Sequence, residues 1–200
     1  MDNSIQSDSY YADKKFINLS LPEQEIFSVE FDRCVFDECN FTDSQFINCK
    51  FSECKFINCN LSLIKVKGSS FLDVLFSGSK MIGINWTEAA WPKIKLSSPI
   101  EFYQCKLDNS SFFSLSIEEI ILRECSAKEV DFREADCSAA DFSLTDFVGS
   151  HFGKTNLSRA NFSDAINYQI DLFLNQIKGA TFTLPEATRL LDCLDIQLIE

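Results

Sequence analysis

Residues 31–56 read FDRCVFDECNFTDSQFINCKFSECKF, with phenylalanine at every fifth position. The same count continues to Phe182 if one extra residue is allowed between Leu96 and Phe102. Of the 31 positions in this series only Asn167 is polar, although 46% of the whole chain is apolar. A period of five fits neither an α-helix, with about 3.6 residues per turn, nor a strand, with about two. A sustained fixed period predicts a repeat architecture.

A second series accompanies the first, because a small or apolar residue stands two positions before each large one. Cysteine, serine and alanine are common there, as at Cys34, Ser44 and Ala135. Each five-residue unit therefore has two side chains suited to the interior and three suited to solvent. A unit this short buries nothing alone, so its core forms only when successive coils stack, which predicts a solenoid.

Several units match the motif Ala-(Asp/Asn)-(Leu/Phe)-x-x closely. They are Ala135-Asp136-Cys137, Ala140-Asp141-Phe142, Ala160-Asn161-Phe162 and Cys39-Asn40-Phe41. From roughly residue 29 to residue 182 the chain thus resembles the pentapeptide-repeat family. The resemblance implies an all-β solenoid, a right-handed quadrilateral β-helix of about eight coils. At about 4.8 Å per strand such a solenoid would be about 38 Å long.

The sequence divides into three parts. Residues 1–25 are predicted to form an N-terminal tail and cap, residues 26–183 the β-helix, and residues 184–200 a C-terminal helix and strand. Caps are expected because an uncovered β-helix exposes open strand edges. The chain has no apolar run of the ~18 residues that a membrane span requires, and its polar start does not resemble a signal peptide. We therefore expect a soluble, cytoplasmic protein without a membrane partner.

Nine cysteines raise the question of a zinc site or disulfides. Seven of them lie in the small inward position: Cys34, Cys39, Cys49, Cys54, Cys59, Cys105 and Cys125. Consecutive inward positions turn onto different faces, so neighbouring thiols do not converge on one ion. Thiols one coil apart stack with parallel side-chain vectors, which disfavours a disulfide. Reduced core cysteines are the preferred interpretation, with metal or redox roles as the alternative.

The sequence contains no evident catalytic constellation. Its single histidine, His151, lies in an outward position, and it has no glycine-rich phosphate loop. Acidic residues are numerous, but a pair of carboxylates needs a cleft to act as general acid and base. A solenoid with a filled interior offers none, so we expect a protein that is not an enzyme and holds no cofactor or metal.

The period breaks at Leu184-Pro185-Glu186, where proline and the adjacent acid suit the first turn of a helix. Apolar residues then follow helical spacing and lead into an apolar tail. The residues predicted to form a homodimer interface are Leu190, Leu191, Leu194, Ile196 and Leu198. The dimer is favoured partly by resemblance, since gyrase-protecting pentapeptide proteins dimerise through such C-terminal ends. The alternative is a cap that packs only on its own solenoid.

The middle of the chain carries the main irregularity. It comprises the positions Trp86, Trp91, Pro92, Ser97 and Pro99. Two tryptophans in successive large positions strain a coil sized for phenylalanine, and the extra residue near 97–101 requires a bulge or a small loop. A tolerated insertion with compensating bulk is one interpretation. The other is a kink or a protruding contact that orients the two halves.

The net charge of −12 is unevenly distributed. Residues 1–100 hold 13 acidic and 10 basic residues, or −3, and residues 101–200 hold 17 and 8, or −9. The acids predicted to form a partner-binding surface are Glu118, Glu119, Glu124, Glu129, Asp131, Glu134, Asp136, Asp141 and Asp146. The four aspartates of this set occupy the same position in successive units, so they should ring one coil.

A dimer joined at its C-terminal ends would place about −18 along roughly 40 Å, or one charge per ~2.2 Å, compared with one per ~1.7 Å in duplex DNA. Such a body repels nucleic acid and attracts proteins with basic DNA-binding grooves. The alternative is an acidic surface that serves only solubility. The acids are spread over all four faces, so the sequence does not single out one contact face.

Segments 59–64, 85–87 and 167–171 resemble the albicidin-immunity branch of the family, and 190–199 resembles the end of its quinolone-resistance members. This resemblance implies a DNA-mimicking protein that binds DNA gyrase or topoisomerase IV. It would protect the enzyme from a poison, as antibiotic resistance or toxin self-immunity, without touching nucleic acid itself. The alternative is a generic protein-interaction scaffold with no topoisomerase partner.

Overall fold

The computed structural model describes residues 4–91, 100–194, 196–197 and 199 of the chain. These residues form a right-handed quadrilateral β-helix of about eight coils. In one coil, Phe31, Phe36, Phe41 and Phe46 point inward from four successive sides. We name the four sides after them: the Phe31, Phe36, Phe41 and Phe46 faces. Within the described part of the chain, no helix is long and apolar enough to span a membrane.

Short parallel strands run along these faces, and each pairs with the strand one coil away. The Phe31 face holds β1 (Tyr10–Ala12), β4 (Glu30–Asp32), β7 (Lys50–Ser52) and β9 (Ser70–Leu72). The Phe36 face holds β2 (Lys15–Ile17), β5 (Val35–Asp37), β8 (Lys55–Ile57), β10 (Val74–Ser77), β11 (Ile100–Tyr103), β12 (Ile121–Arg123), β13 (Asn161–Phe162) and β14 (Thr181–Phe182). The Phe46 face holds β3 (Glu25–Phe27) and β6 (Gln45–Ile47). On the Phe41 face, isolated β-bridges such as that between Asn40 and Asn60 join successive coils.

The parallel register places each inward ring directly on the equivalent ring of the next coil. Phe36 pairs with Phe16 on one side and Phe56 on the other, and their ring centroids lie 5.0 and 4.5 Å apart with nearly parallel planes. Each ring also meets a ring of the adjoining face edge-on, as Phe36 meets Phe31 at 75°. Both arrangements are favourable for aromatic pairs, so the first half of the solenoid encloses one continuous aromatic core.

The small inward residues connect the coils by hydrogen bonds as well as filling space. The Ser69 hydroxyl accepts from the backbone N–H of Cys49 at 2.9 Å and donates to the carbonyl of Phe46 at 2.8 Å. The Cys49 thiol donates in the same way to the carbonyl of Ile26. The nine cysteines are free thiols and eight of them are buried. Burial raises the pKa of Cys105 to about 11, so its thiol stays protonated and can donate.

Each coil turns its corners at the residue two positions after the large one. This corner residue has a left-handed backbone, with φ of 54° at Glu38 and 58° at Asp43. Glycine, asparagine and aspartate adopt this conformation most readily. At Gly149, with φ of 69°, a Cβ atom would lie 2.3 Å from a carboxylate oxygen of Glu129, so a larger residue there would require that side chain to move.

The first coil begins earlier than the sequence predicted. β1 pairs with β4 and β2 with β5, with Tyr11 opposite Phe31 and Phe16 opposite Phe36. Residues 10–25, expected to be a tail and cap, therefore belong to the β-helix. The five-residue period does extend back through this segment, at Tyr11, Phe16 and Leu21. These are different residue types among polar neighbours, so the period is less evident there than in the phenylalanine run.

The irregular middle is larger than the single inserted residue that the sequence suggested. β10 pairs with β11 in a register that joins Val74 to Ile100, an offset of 26 residues, whereas β8 and β10 are offset by 20. The coil thus holds six additional residues. Six residues are one five-residue unit plus one residue, so counting in fives along the sequence reveals only a one-residue shift.

The two tryptophans of this coil lie before the insertion. Trp86 is fully buried and stacks on Phe112, and it begins a short 3₁₀ helix, Trp86–Glu88. Trp91 is half-buried, and its indole Nε1 donates to the carbonyl of Trp86 at 2.8 Å. The remaining positions predicted for the kink, Pro92, Ser97 and Pro99, lie outside the described residues.

Near the C-terminal end the five-residue pattern changes at Asn167, the one polar residue in the series of large inward positions. Asn167 is half-buried and donates to Asp146 at 2.8 Å, while the next residue, Tyr168, is fully buried in the core. The backbone N–H of Asn167 donates to a carboxylate oxygen of Glu186 at 2.6 Å. Glu186 begins the C-terminal helix, Glu186–Leu194, which is of the 3₁₀ type.

Replacing Phe36 by alanine tests the stacked core. Phe36 is fully buried between two parallel rings, so we expect F36A to lower the free energy of unfolding by about 3–5 kcal/mol. Leu72→Ala is the matched control, because Leu72 is 51% exposed on β9 and its loss should change stability by less than about 0.5 kcal/mol. Urea denaturation followed by circular dichroism measures both. Equal destabilisation by the two variants would contradict the stacked core.

Candidate partner-binding surface

Four of the predicted acids ring one coil at its corners. Glu119, Glu124, Glu129 and Glu134 each occupy a corner position with φ between 54° and 61°, and all four are exposed. Because consecutive corners point in four directions, one glutamate projects from each corner of the coil. Glu119 and Glu124 lie on the two corners that bound the Phe36 face.

The four predicted aspartates ring the next coil, one on each face. Bridges join Asp131, Asp136 and Asp141 to the residue one coil earlier on three different faces, and Asp146 completes the ring on the Phe41 face. All four are half-buried. In each of them a carboxylate oxygen accepts the backbone N–H two residues ahead, at 2.9–3.2 Å. These are Asx turns, so the aspartates help to form the corners as well as carrying charge.

The structure neutralises some of these acids and leaves others without an ion pair. Arg133 contacts Asp131 at 2.7 Å on the Phe46 face, and Lys128 contacts Asp146 at 3.1 Å on the Phe41 face. Lys154 contacts Glu134 at 3.4 Å on the corner between the Phe46 and Phe31 faces. The predicted acids therefore do not contribute equally to the surface potential.

The acids without an ion pair among the described residues concentrate on the Phe36 face. Asp141 lies on this face, and Glu119 and Glu124 bound it. Glu124 accepts a hydrogen bond from Gln104 at 2.8 Å, and Asp141 accepts one from Asn161 at 3.0 Å, and both donors are neutral. Glu129, on the corner between the Phe41 and Phe46 faces, is also without an ion pair among the described residues, so the unpaired acids are weighted toward the Phe36 face and not confined to it.

Glu101 belongs to the same surface, although it was not among the predicted residues. It pairs with Ile121, which is bridged to Asp141, so Glu101 and Asp141 lie two coils apart on one face, or about 10 Å. In the sequence, Glu101 and Asp141 are separated by two coils of 20 residues, and this spacing could have identified Glu101. We call Glu101, Glu119, Glu124 and Asp141 the acidic cluster.

One neighbour of the acidic cluster, Tyr103, responds to its charge. The pKa of Tyr103 is raised by burial, by the charge of Glu101 and its hydrogen bond, and by the charge of Asp141. Arg123 lies on β12 of the same face, whose earlier strands also present Lys15 and Lys55, and no carboxylate of the described residues lies within ion-pair distance of Arg123. The two other predicted acids, Glu118 and Asp136, lie on the adjoining Phe31 face.

The predicted dimer residues occupy the C-terminal end of the solenoid. Leu190 packs against the core, and Leu191 is half-buried. Leu194 and Ile196 are 38% and 54% exposed, and Leu198 lies outside the described residues. Phe173, Leu174 and Leu184 add to the exposed apolar surface at this end, and Phe173 is 76% exposed. The sequence prediction did not include Phe173 and Leu174, because their turn follows the change in the five-residue pattern at Asn167, whereas it placed Leu184 at the start of the C-terminal helix.

No metal-binding group is present among the described residues, since none of their histidine, cysteine and acidic side chains form a cluster of three. His151 lies on the outer surface of the Phe46 face, where it is bridged to Asp131. Asp131 is in turn held in an ion pair by Arg133 at 2.7 Å. The arrangement is suited to binding a partner through charge and shape.

Comparisons with known proteins agree with this fold. A family model described as "Pentapeptide repeat region" matches residues 29–98 and 84–162. Among solved structures, a trypsin-treated variant of QnrB1, a plasmid-mediated fluoroquinolone resistance protein, aligns with a TM-score of 0.66 and 18% identity, covering 96% of this chain and all of that one. A second trypsin-treated QnrB1 variant aligns with a TM-score of 0.63 and 17% sequence identity, and the alignment covers 98% of this chain and 100% of that one. A search of the curated proteins gives no significant match.

The Asp131–Arg133 pair predicts a pH dependence of stability. The Arg133 guanidinium lowers the pKa of Asp131 below its usual value, so this carboxylate stabilises the fold above a pH of about 3.9 and the effect is lost as pH falls through the lower, folded-state pKa. Asp131→Asn keeps the acceptor of the Asx turn but removes this titration. We expect the urea midpoint of the wild type to fall more steeply than that of D131N between pH 5 and pH 2.

The matched control for this experiment is Glu129→Gln, which removes the same charge from an exposed corner two residues before Asp131. Parallel pH profiles for the wild type and D131N would show that the ion pair contributes nothing to stability.

Proposed function

Because the chain belongs to the pentapeptide-repeat family, we propose that it binds a type II topoisomerase, DNA gyrase or topoisomerase IV, and protects that enzyme from a poison. Members of this family act by binding rather than by catalysis. The proposed role is that of a DNA-mimicking protein in antibiotic resistance or toxin self-immunity. Its partner acts on chromosomal DNA, so we also propose a cytoplasmic location.

The acidic cluster is the observation that carries this proposal. Its carboxylates lie on one face of a rigid rod, and no lysine or arginine of the described residues forms an ion pair with them. A surface that binds DNA is rich in lysine and arginine, because phosphate contacts supply most of its affinity. An acidic face therefore complements such a surface and is attracted to it at long range.

The C-terminal end supports a two-fold arrangement of this acidic surface. Leu194, Ile196 and Phe173 expose apolar area beside the more acidic half of the chain. Apolar patches of this kind are typical of protein interfaces. In the proposed homodimer the two ends meet, and the acidic coils of both protomers form one central segment. That segment would occupy the basic saddle that otherwise holds the DNA gate segment, so the cleavage complex trapped by the poison is dislodged or fails to form.

The structural likeness to QnrB1 is consistent with this proposal at the level of the fold. Fluoroquinolone resistance is a property of QnrB1. The poison resisted by the present chain is therefore left open, and albicidin and a fluoroquinolone are both suitable test compounds.

Neutralising the acidic cluster tests the function directly. The variant combines Glu101→Gln, Glu119→Gln, Glu124→Gln and Asp141→Asn. Four surface charge contacts are lost, so we expect the concentration that half-restores gyrase supercoiling in the presence of a poison to rise about tenfold to a hundredfold. The measurement is a supercoiling assay with albicidin or a fluoroquinolone.

The matched control removes four exposed acids of the first half of the chain that lie away from the Phe36 face: Glu23→Gln, Glu25→Gln, Asp43→Asn and Glu88→Gln. It changes the net charge by the same amount, so it separates a local contact from a general effect of charge. Absence of rescue by the wild-type protein at every concentration, for both gyrase and topoisomerase IV, would contradict the proposed function.

A second variant tests the proposed dimer. Replacing Leu194, Ile196 and Leu198 by aspartate places charges in the apolar seam, so we expect monomers on sizing chromatography with light scattering and loss of rescue. Leu63→Asp with Leu72→Asp is the control, because these residues are equally exposed but far from the C-terminal end. An unchanged dimer in the seam variant would place the interface elsewhere.

A further inference from the structure

The Phe36 face has a second feature besides the acidic cluster. Each of the six strands in its longest run presents one apolar side chain on the outer surface, and these are Ile17, Val35, Ile57, Leu75, Tyr103 and Ile121. Ile17 is 47% exposed and the other five are half-buried. Outward positions of a solenoid are normally polar, because only two residues of every five are needed inside.

The register of the strands arranges these six residues as a zigzag. On one outward column, Val35 is opposite Lys15 and Lys55. On the other column, Asp37 is opposite Ile17 and Ile57. The two columns are out of phase, so apolar residues of successive strands are diagonal neighbours, which long side chains can bridge. We call these six residues the apolar zigzag.

This pattern distinguishes the Phe36 face from the other three. Across the described coils, no other face presents an outward apolar residue on six successive coils. The Phe41 face, for comparison, presents Asn40, Asn60, Lys80 and Lys106 in one outward column. The Phe36 face also has the longest run of hydrogen-bonded strands.

The apolar zigzag and the acidic cluster overlap on one surface. Glu101 lies beside Tyr103 on β11, and Asp141 is bridged to Ile121 at the end of the zigzag. At ~4.8 Å per strand the six strands extend over roughly 24 Å, with Glu101, Glu119 and Glu124 at their C-terminal end and Asp141 one coil beyond. The face thus offers apolar contact area toward its N-terminal end and negative charge toward its C-terminal end.

We propose that the Phe36 face is the surface that docks the topoisomerase, with the zigzag against an apolar strip of that protein and the acidic cluster against its basic groove. This inference rests on the proposed function and adds which of the four faces makes contact. Charge complementarity identifies the occupant, because the carboxylates at one end of the face require a cationic partner surface. The apolar strip makes the partner a protein, since apolar contact combined with complementary charge is characteristic of protein interfaces.

The two halves of this surface have different physical roles. Exposed charges steer association and are screened by salt, with a Debye length of about 8 Å at physiological ionic strength. Apolar contact is not screened in this way. Loss of zigzag residues should therefore weaken binding at every salt concentration, whereas loss of acids should reduce the salt dependence itself.

The test compares two double variants that remove the same kind of apolar surface. Ile57→Thr with Leu75→Thr changes the zigzag. Ile47→Thr with Leu72→Thr changes outward residues on the Phe46 and Phe31 faces. Threonine retains strand propensity, so both variants should fold. Binding to immobilised, intact DNA gyrase is measured at low and high salt, and we expect the zigzag variant to bind about tenfold more weakly at both, with the control within about twofold of wild type.

The possible outcomes distinguish failure of this inference from failure of the proposed function. Wild-type protein that binds gyrase, together with two variants that bind equally well, would overturn the choice of face and leave the proposed function standing. Wild-type protein that does not bind would overturn both. A zigzag variant that changes the oligomeric state on sizing chromatography would identify a second copy of this chain as the occupant and overturn the inference.

Circular dichroism and thermal melting check that the variants are folded. If the zigzag double variant is unfolded, Ile17→Ser replaces it, since Ile17 is an exposed residue at the end of the sheet. We expect I17S to weaken binding about threefold with an unchanged melting temperature. Unchanged affinity of a folded I17S would then count against the face.

Discussion

The whole molecule depends on the registration of each coil on the one before it. Parallel pairing offsets equivalent residues by 20, so backbone hydrogen bonds, aromatic stacks and the Ser69-type bridges all join the same neighbouring coils. No unit has a core of its own, and stability comes from nearest-neighbour contacts. The same registration converts a linear pattern of outward residues into columns, and those columns decide what the surface can bind.

Much of the fold could be predicted from the sequence because one interval dominates it. The run from Phe31 to Phe56 predicts the solenoid, and the small inward positions such as Cys34 predict which side chains are buried. The start of the solenoid at Tyr10 was missed because mixed residue types carry the period there. The size of the insertion was also missed, since β10 and β11 show six additional residues where the period shows a slip of one.

The candidate site was predicted less completely, for a physical reason. The sequence identifies acids such as Asp131 and Asp141 as equivalent, but it does not show that Arg133 pairs with Asp131 while no base among the described residues pairs with Asp141. Neutralisation depends on side-chain reach between neighbouring columns, and the sequence pattern alone does not contain it. The same holds for the apolar zigzag, where Val35 and Ile57 look like isolated surface residues until the register makes them diagonal neighbours.

The Asx turns give the solenoid a way to vary its charge without rebuilding its backbone. Asp141 and Asn161 occupy the same outward position one coil apart, and each accepts the N–H two residues ahead. The turn requires only the side-chain oxygen that both residues have, so an aspartate and an asparagine are geometrically interchangeable there. Single-step substitutions between the two can therefore retune the electrostatic profile of one side of the rod, and a lineage could diversify its targets while the scaffold stays constant.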